Sequence, residues 1–406
     1  MEGIVEPFIR FFVLTACDNT ATILRLDAYN NSHTFKGQNK LLEDLKENGK
    51  PQLFPGKIGV VTTVASVNED DYYSTERLLK KYGPEKIIHV TWPENFIVKQ
   101  EQMFDTLVNL AKDSEIKAII INQAVEGSNA AVDKLKETRN DIFIVYCNTN
   151  EDIVACAARA NLVLMLDRTG MGQPMVMQAK KQGAKTFIYY SFPRHMSFRN
   201  LSAQRDMIRK TCEEEGILFV PATAPDPTDK GGIAAAHKFI LEDVPKMVGK
   251  YGKDTAFHST NCQMQIPLIK AVLDSRAIFP QPCCPSPFHG FPEAFGIDRV
   301  DGMYDLRHLV NEICSIAAEK GMTDRLSTLP VSNGMMFTTA GAEYAIAWIK
   351  GEVEKTWIDN DVLIDCMNAY IKEVVGEESH ILMTSFSDGG RTYDNIKPVI
   401  MSYLDF

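Results

Sequence analysis

Residues 162–197 read LVLMLDRTGMGQPMVMQAKKQGAKTFIYYSFPRHMS, and the folding of this stretch decides the architecture. Leu162–Leu166 is an apolar run of strand length, and Asp167-Arg168-Thr169-Gly170-Met171-Gly172 is rich in turn formers. Pro174 falls where the first turn of a helix accepts a residue without an N–H. That helix should end at Gly183, and Lys185–Ser191 is strand-like again. A short helix between two apolar strands is a βαβ unit, which makes the strands parallel. Units of the same rhythm lie on both sides, so 167–172 reads as a linker between two α/β lobes.

Upstream, strand Lys57–Val64 leads through Ser66-Val67-Asn68-Glu69, a capping-box spacing, to a helix ending at Tyr82. Strand Lys86–Trp92, helix Gln100–Asp113, strand Ile116–Asn122, a helix to Arg139, strand Ile142–Cys147 and helix Glu151–Ala160 follow. With Leu162–Leu166 these make five near-continuous apolar strands alternating with helices. That is a parallel, doubly wound sheet covered on both faces.

Downstream come helix Leu201–Glu215, strand Ile217–Val220, loop Pro221–Gly232 and a helix to Gly249. Strand Thr255–Ser259, helix Gln263–Leu273 and strand Ala277–Pro280 complete a second parallel sheet. Gln281–Gly296, QPCCPSPFHGFPEAFG, has too many prolines for a regular helix or central strand and reads as the return crossing. Helix Tyr304–Lys320, an extended Arg325–Pro330, helices Ala340–Val353 and Asn360–Val375, and strands Ile381–Ser385 and Pro398–Leu404 end the chain. The expected division is 1–55 anchor and tether, 56–167 lobe one, 168–282 lobe two, and 283–406 return crossings that complete both lobes.

The 406 residues are 45% hydrophobic and 24% charged, ordinary for a globular chain, with a net charge of −10. Nucleic-acid binding needs a basic footprint, so this balance argues against it. No run approaches the roughly 20 apolar residues of a membrane span. The N-terminal Phe8–Cys17 ends in Leu14-Thr15-Ala16-Cys17, which resembles a bacterial lipoprotein box and implies cleavage before Cys17 and lipidation of its thiol. The apolar run is short, and Glu2, Glu6 and Pro7 do not suit a signal peptide. Residues 18–55 are polar and turn-rich, a tether apart from a short helix at Asn39–Glu47.

Of nine cysteines, Cys147, Cys156, Cys314 and Cys366 sit in apolar periodic stretches as small core residues. No CxxC or Cys/His ligand spacing appears, so neither a metal nor a cofactor is expected. Adjacent Cys283-Cys284 are either structural or reactive and ligand-facing.

Two parallel lobes, with Asp167…Gly172-Gln173 before the first helix of the second and Gln182-Gly183-Ala184-Lys185 before its next strand, resemble the type I periplasmic binding protein fold. The spacing is similar to its sugar-binding and repressor branch, and the basic membrane protein group is related by architecture. Cys283-Cys284-Pro285-Ser286-Pro287-Phe288-His289-Gly290-Phe291-Pro292 resembles a family of bacterial lipoproteins of unknown function. The resemblance spans 57–406. It implies a hinged cleft closing on a small polar molecule of sugar, nucleoside or carboxylate class, handed to a membrane permease or receptor. With nucleic acid set aside on charge, the expected contact with a membrane is only through the lipid anchor.

Such ligands lie beyond the carboxyl ends of parallel strands, where loops and helix N-termini offer free N–H groups. Lobe one there presents Thr62, Thr63, Ser66, Trp92, Glu126 and Asn148; lobe two presents Phe192, Arg194, His195 and Asn261. A late glycine turn adds Asp388 and Arg391. Trp92 and Phe192 suit stacking on a ligand or simple packing. Arg194 suits a bidentate grip on an anion or a structural ion pair. Glu126 and Asp388 suit ligand hydroxyls or local capping.

An enzyme is the rival class, yet no P-loop, GxGxxG, GxSxG or HExxH occurs. A Cys283/His289 nucleophile pair would need geometry that nearness in sequence does not supply. A cytoplasmic ligand sensor would keep the cleft and lose the anchor, and the cysteine count suits it. The reading is an extracytoplasmic solute-binding lipoprotein without catalytic activity.

Overall fold

The computed structural model describes residues 14–15, 54–65, 68–96, 98–298, 306–376 and 379–406. Cys17, Ser66, the tether and its Asn39–Glu47 helix lie outside the described residues. The first described element is a two-residue strand, β1 (Leu14–Thr15).

Lobe one is built from β2 (Lys57–Thr62), α1 (Glu69–Tyr82), β3 (Ile87–Thr91), α2 (Gln100–Ala111), β4 (Ile116–Asn122), α3 (Ser128–Lys136), β5 (Phe143–Cys147), α4 (Ile153–Ala157) and β6 (Leu162–Leu166). Its strands pair in parallel in the order β3-β2-β4-β5-β6. Every residue of β5 and all but the first of β2 are buried, because helices cover both sheet faces. Alternate residues supply two cores: Ile58, Val60, Ile120 and Val145 on one face, Val61, Ile119, Ile121 and Ile144 on the other. The cap of α1 is Asn68, whose Oδ1 accepts the Asp71 N–H at 3.1 Å. Asn caps as well as Ser, so the helix begins where expected with a different residue at its cap.

The chain crosses at 167–171 into lobe two. There α5 (Gly172–Lys181), β7 (Thr186–Ser191), α6 (Pro193–Met196), α7 (Arg199–Glu214), β8 (Leu218–Thr223), α8 (Gly232–Tyr251), β9 (Thr255–Ser259) and α9 (Gln265–Ser275) follow. The parallel order is β8-β7-β9. The expected fourth strand is reduced to a parallel bridge between Ala256 and Ile278, with Phe279 bridged to Leu326. Pro221 lies within β8, an edge strand that tolerates a missing N–H.

The proline-rich stretch is not the return crossing. It stays with lobe two because Phe291, in α10 (Phe291–Phe295), is fully buried with its ring 5.9 Å from that of Phe279. After α11 (Leu306–Glu319) and β10 (Ser327–Thr328), the chain crosses at 329–332 into α12 (Asn333–Lys350), which lies over β4, β5 and β6. Gly341 permits that approach: a Cβ there would sit 3.1 Å from Val145 Cγ1. This helix starts seven residues before Ala340. Ser332-Asn333-Gly334 reads as a turn, yet Ser332 takes the extended N-cap conformation and the helix runs on.

Next come α13 (Asn360–Val375), β11 (Ile381–Met383), the hairpin β12 (Ser387–Asp388) and β13 (Arg391–Thr392), and β14 (Ile396–Met401). They extend the first sheet to β11-β14-β6-β5-β4-β2-β3, with β14 parallel to β6 and β11 antiparallel at the edge. A third crossing at 402–403 delivers β15 (Leu404–Asp405), antiparallel to β10 and parallel to β1. Two doubly wound parallel lobes joined by three crossings among the described residues are the type I periplasmic binding protein architecture. No helix among the described residues is long and apolar enough to cross a membrane.

Candidate functional site

The carboxyl ends of β2, β4 and β5 and the first turns of α1 and α12 form one wall where the lobes meet. Asn122, the last residue of β4, is fully buried, and its Nδ2 reaches Asp71 Oδ1 at 3.2 Å, the Gly334 carbonyl at 3.1 Å and Thr338 Oγ1 at 2.7 Å. A Cβ on Gly334 would collide with Asp71 Oδ1, so the glycine is what lets α12 start against that carboxyl. Asn333 Nδ2 donates to Asn148 Oδ1 at 3.0 Å. Asn148 has a positive φ of 50°, a conformation Asn tolerates. Thr63 Oγ1, Asp71 Oδ2 and Asn122 Oδ1 are buried without a hydrogen-bond partner. Burial pushes the Asp71 pKa up to about 7, with repulsion from Asp70 and Cys284 adding to it. Cys284 belongs to lobe two.

The opposing wall begins at the end of β9. Asn261 Oδ1 accepts the Gln263 N–H at 2.9 Å and caps a 3-10 turn, Cys262–Met264. Gln265 Nε2 pins that turn by donating to Ser259 Oγ at 2.7 Å and to the Asn261 carbonyl at 2.9 Å. The proline-rich loop folds back on it. His289 N–H donates to the Ser286 carbonyl at 3.1 Å, and Gly290 takes a φ of 83°. The outcome is a cluster in which Cys283 Sγ lies 3.4 Å from Cys262 Sγ, 4.0 Å from Cys284 Sγ and 3.6 Å from His289 Nε2. Cys262 and Cys284 are 3.6 Å apart.

Arg168, on the first crossing, donates from Nη1 to the Cys283 carbonyl at 3.3 Å. Hydrogen bonds from Cys262 and Cys283, with the charge of Arg168, hold the Cys284 thiol well below its usual range. Hydrogen bonds with Cys262 and Cys284, together with burial, push Cys283 up. Burial works against the Arg168 charge, and Cys284 and Cys283 more than restore it. The absence of ligand spacing in the sequence is therefore misleading, because the fold gathers Cys262, Cys283, Cys284 and His289 within 4.8 Å of one another.

The residues singled out from sequence divide. Thr63 and Asn148 stand on the lobe-one wall, and Asn261 positions Cys262 on the other. Thr62 is buried beside them with Oγ1 donating to the Thr63 carbonyl at 2.8 Å. Trp92 is core, its Nε1 donating to the Gln123 carbonyl at 3.2 Å. Phe192 is buried, 4.1 Å between ring centres from His195, whose Nδ1 is 2.9 Å from Thr260 Oγ1. Arg194 is held by both oxygens of Asp226, at 2.7 and 2.8 Å. Glu126 is exposed, and the cap on α3 comes instead from Glu151, which accepts from Gly127 and Asn129 N–H at 2.8 Å each. Asp388 and Arg391 face each other across an exposed hairpin, with Arg391 5.0 Å over the Tyr393 ring.

Sequence reasoning missed Asp71, Arg168 and Cys262. Asp71 reads as one of three consecutive acids on a helix, Arg168 as a linker residue and Cys262 as a lone thiol. Only Asn122, ending a strand, carried a signal of its own.

The sequence pattern of a family described as "Protein of unknown function (DUF3798)" matches residues 56–327. An uncharacterized protein of Treponema pallidum (strain Nichols) is 30% identical over 220 residues, 54% of this chain and 100% of that one. The crystal structure of a proposed transcriptional regulator from Clostridium difficile 630 superposes with a TM-score of 0.79 at 25% identity, covering 87% of this chain and all of that one. A sugar ABC transporter structure from Actinomyces odontolyticus ATCC 17982 has a TM-score of 0.48 at 9% identity, over 73% of this chain and 84% of its own.

Proposed function

The chain belongs to the DUF3798 family, and we propose that it binds, without transforming, a small polar molecule between its two lobes. The observation that carries this reading is the set of unpartnered buried atoms Thr63 Oγ1 and Asn122 Oδ1, at neighbouring strand ends, and Asp71 Oδ2, in the first turn of α1. Each such atom costs about 1–3 kcal/mol when left unpaired, a cost that a ligand removes by supplying the missing partner. A hydroxyl, a carboxyl that burial keeps protonated and an amide oxygen together donate and accept, which favours a ligand of hydroxyl groups, such as a sugar or nucleoside. Thr63, Asp71, Asn122 and Asn148 are the proposed contacts, and the three crossings are the hinge.

The setting proposed is extracytoplasmic, tethered through a lipidated Cys17, with a permease or membrane receptor receiving the ligand. The Leu-Thr-Ala-Cys box and the polar stretch behind it support this. Cleavage before Cys17 would remove β1 and leave β15 paired with β10. The likeness to the C. difficile regulator favours a second reading, an intracellular sensor that uses the same cleft.

The test is to denature the purified full-length protein and identify by mass spectrometry any small molecule it releases. One hydroxyl-rich compound near one per chain, rebinding unchanged after refolding, is the expected result. A released compound that the refolded protein converts to another would make it an enzyme.

A further inference from the structure

The strongest unexplained feature is the sulfur cluster on the lobe-two wall. Three thiols and an imidazole, contributed by a 3-10 turn and a loop 21 positions further on, converge with all four donor atoms within 4.8 Å. Four donors around one zinc ion at about 2.3 Å for sulfur and about 2.0–2.1 Å for nitrogen make a tetrahedron with edges of about 3.8 Å between sulfurs and about 3.6 Å from sulfur to nitrogen. The observed sulfur separations are 3.4, 3.6 and 4.0 Å, and Cys283 Sγ lies 3.6 Å from His289 Nε2. From this match the geometry points to a metal site in which Cys262, Cys283, Cys284 and His289 hold a single zinc ion.

Soft thiolates with one imidazole select zinc over oxygen-seeking cations. Four protein donors fill the tetrahedron, the mark of a structural rather than a catalytic site. Binding releases the thiol protons still present and leaves the group Zn(Cys)3(His) with one net negative charge. Arg168 stands beside the cluster with its guanidinium bonded to the Cys283 carbonyl, and offsets that charge as an outer partner. The ion would lock the proline-rich loop onto the end of β9 and present that wall to the first crossing. Metal binding here does not depend on a cleft ligand.

The test uses the full chain, kept reduced and stripped with a chelator, then titrated with Co2+ and back-titrated with Zn2+. One cobalt per chain, with the visible bands of a tetrahedral ion and a thiolate-to-cobalt absorption in the near ultraviolet, is expected, as is displacement by zinc. Cys262→Ser and His289→Ala should each lose stoichiometric zinc, while Cys314→Ser, in the core of α11, should bind as the parent does. Should the ligand variants fail to fold, the thiolate absorption of the parent still decides the matter. Cobalt uptake with an octahedral spectrum lacking thiolate absorption, or no uptake by the reduced parent, would overturn the site.

Discussion

Asn122 Nδ2 donates to Asp71 Oδ1 at 3.2 Å, joining the end of β4 to the first turn of α1 across 51 positions of sequence. The bond leaves the second Asp71 oxygen buried and unpaired. Lobe one thus closes over a carboxyl that is easier to keep protonated than charged, with a pKa of about 7 against an ordinary 3.8.

That shift sets a pH dependence. Above pH 4 the unfolded chain has released a proton that the folded chain still holds, so stability falls as pH rises from about 4 to about 7 and levels off above. The slope from this one group is at most about 1.4 kcal/mol per pH unit. Asp71→Asn keeps an acceptor for Asn122 and removes the titration. Urea unfolding at about pH 5 and about pH 7 should show a smaller difference for the variant than for the parent. Equal differences would mean that Asp71 ionises normally.

Gly334→Ala tests the close approach of α12. Helix propensity alone would make this change stabilising by up to about 1 kcal/mol. The new Cβ meets Asp71 Oδ1, so a net loss of about 1–3 kcal/mol is expected instead, read from the urea midpoint. A stabilised variant would show that the wall has room to spare.

Much of this architecture is legible in the sequence, and for a physical reason. Strands such as Phe143–Cys147 are apolar throughout because helices cover both faces, and unbroken runs are easy to see. The crossing at 167–171 shows itself through Asp167 and Gly170. The return at 329–332 does not, since Ser332-Asn333-Gly334 carries the same turn chemistry as any loop and only packing against β4–β6 makes it the start of a helix. The cysteine cluster is hidden for a different reason. Cys262 approaches Cys283 only after β9 and the loop have docked, and no spacing rule spans that separation. Trp92 and Phe192 show the opposite case: in sequence a strand-end aromatic suits stacking or packing, and both are buried in the cores.

Arg194 and Asn148 separate two kinds of strand-end residue. Arg194 is already committed to both oxygens of the buried Asp226, so its guanidinium fork is taken up within lobe two. Arg194→Ala should leave ligand affinity within about twofold. Asn148→Gly keeps the left-handed backbone, removes the side chain from the wall and should weaken binding by about tenfold, the equivalent of one hydrogen bond. Calorimetric titration with the released compound distinguishes them, and the reverse ranking would move the site toward α6.

Anchoring is tested in cells. Cys17→Ser should shift the protein from the membrane to the soluble fraction and abolish incorporation of labelled fatty acid. Membrane association that survives the substitution would contradict lipidation at Cys17, and a parent found only in the cytoplasm would favour the intracellular sensor.

A cleft that binds a small polar molecule is tested by thermal unfolding of the full chain with sugars, nucleosides, amino acids and small carboxylates. A solute at about 100 times its Kd should add roughly 2.7 kcal/mol of stability. Such a shift is expected with a hydroxyl-rich solute, recovered intact afterwards, and is expected to be lost in Asn148→Gly. A shift that survives unchanged in both Asn148→Gly and Asp71→Asn would contradict that expectation, placing the ligand away from the wall where the lobes meet.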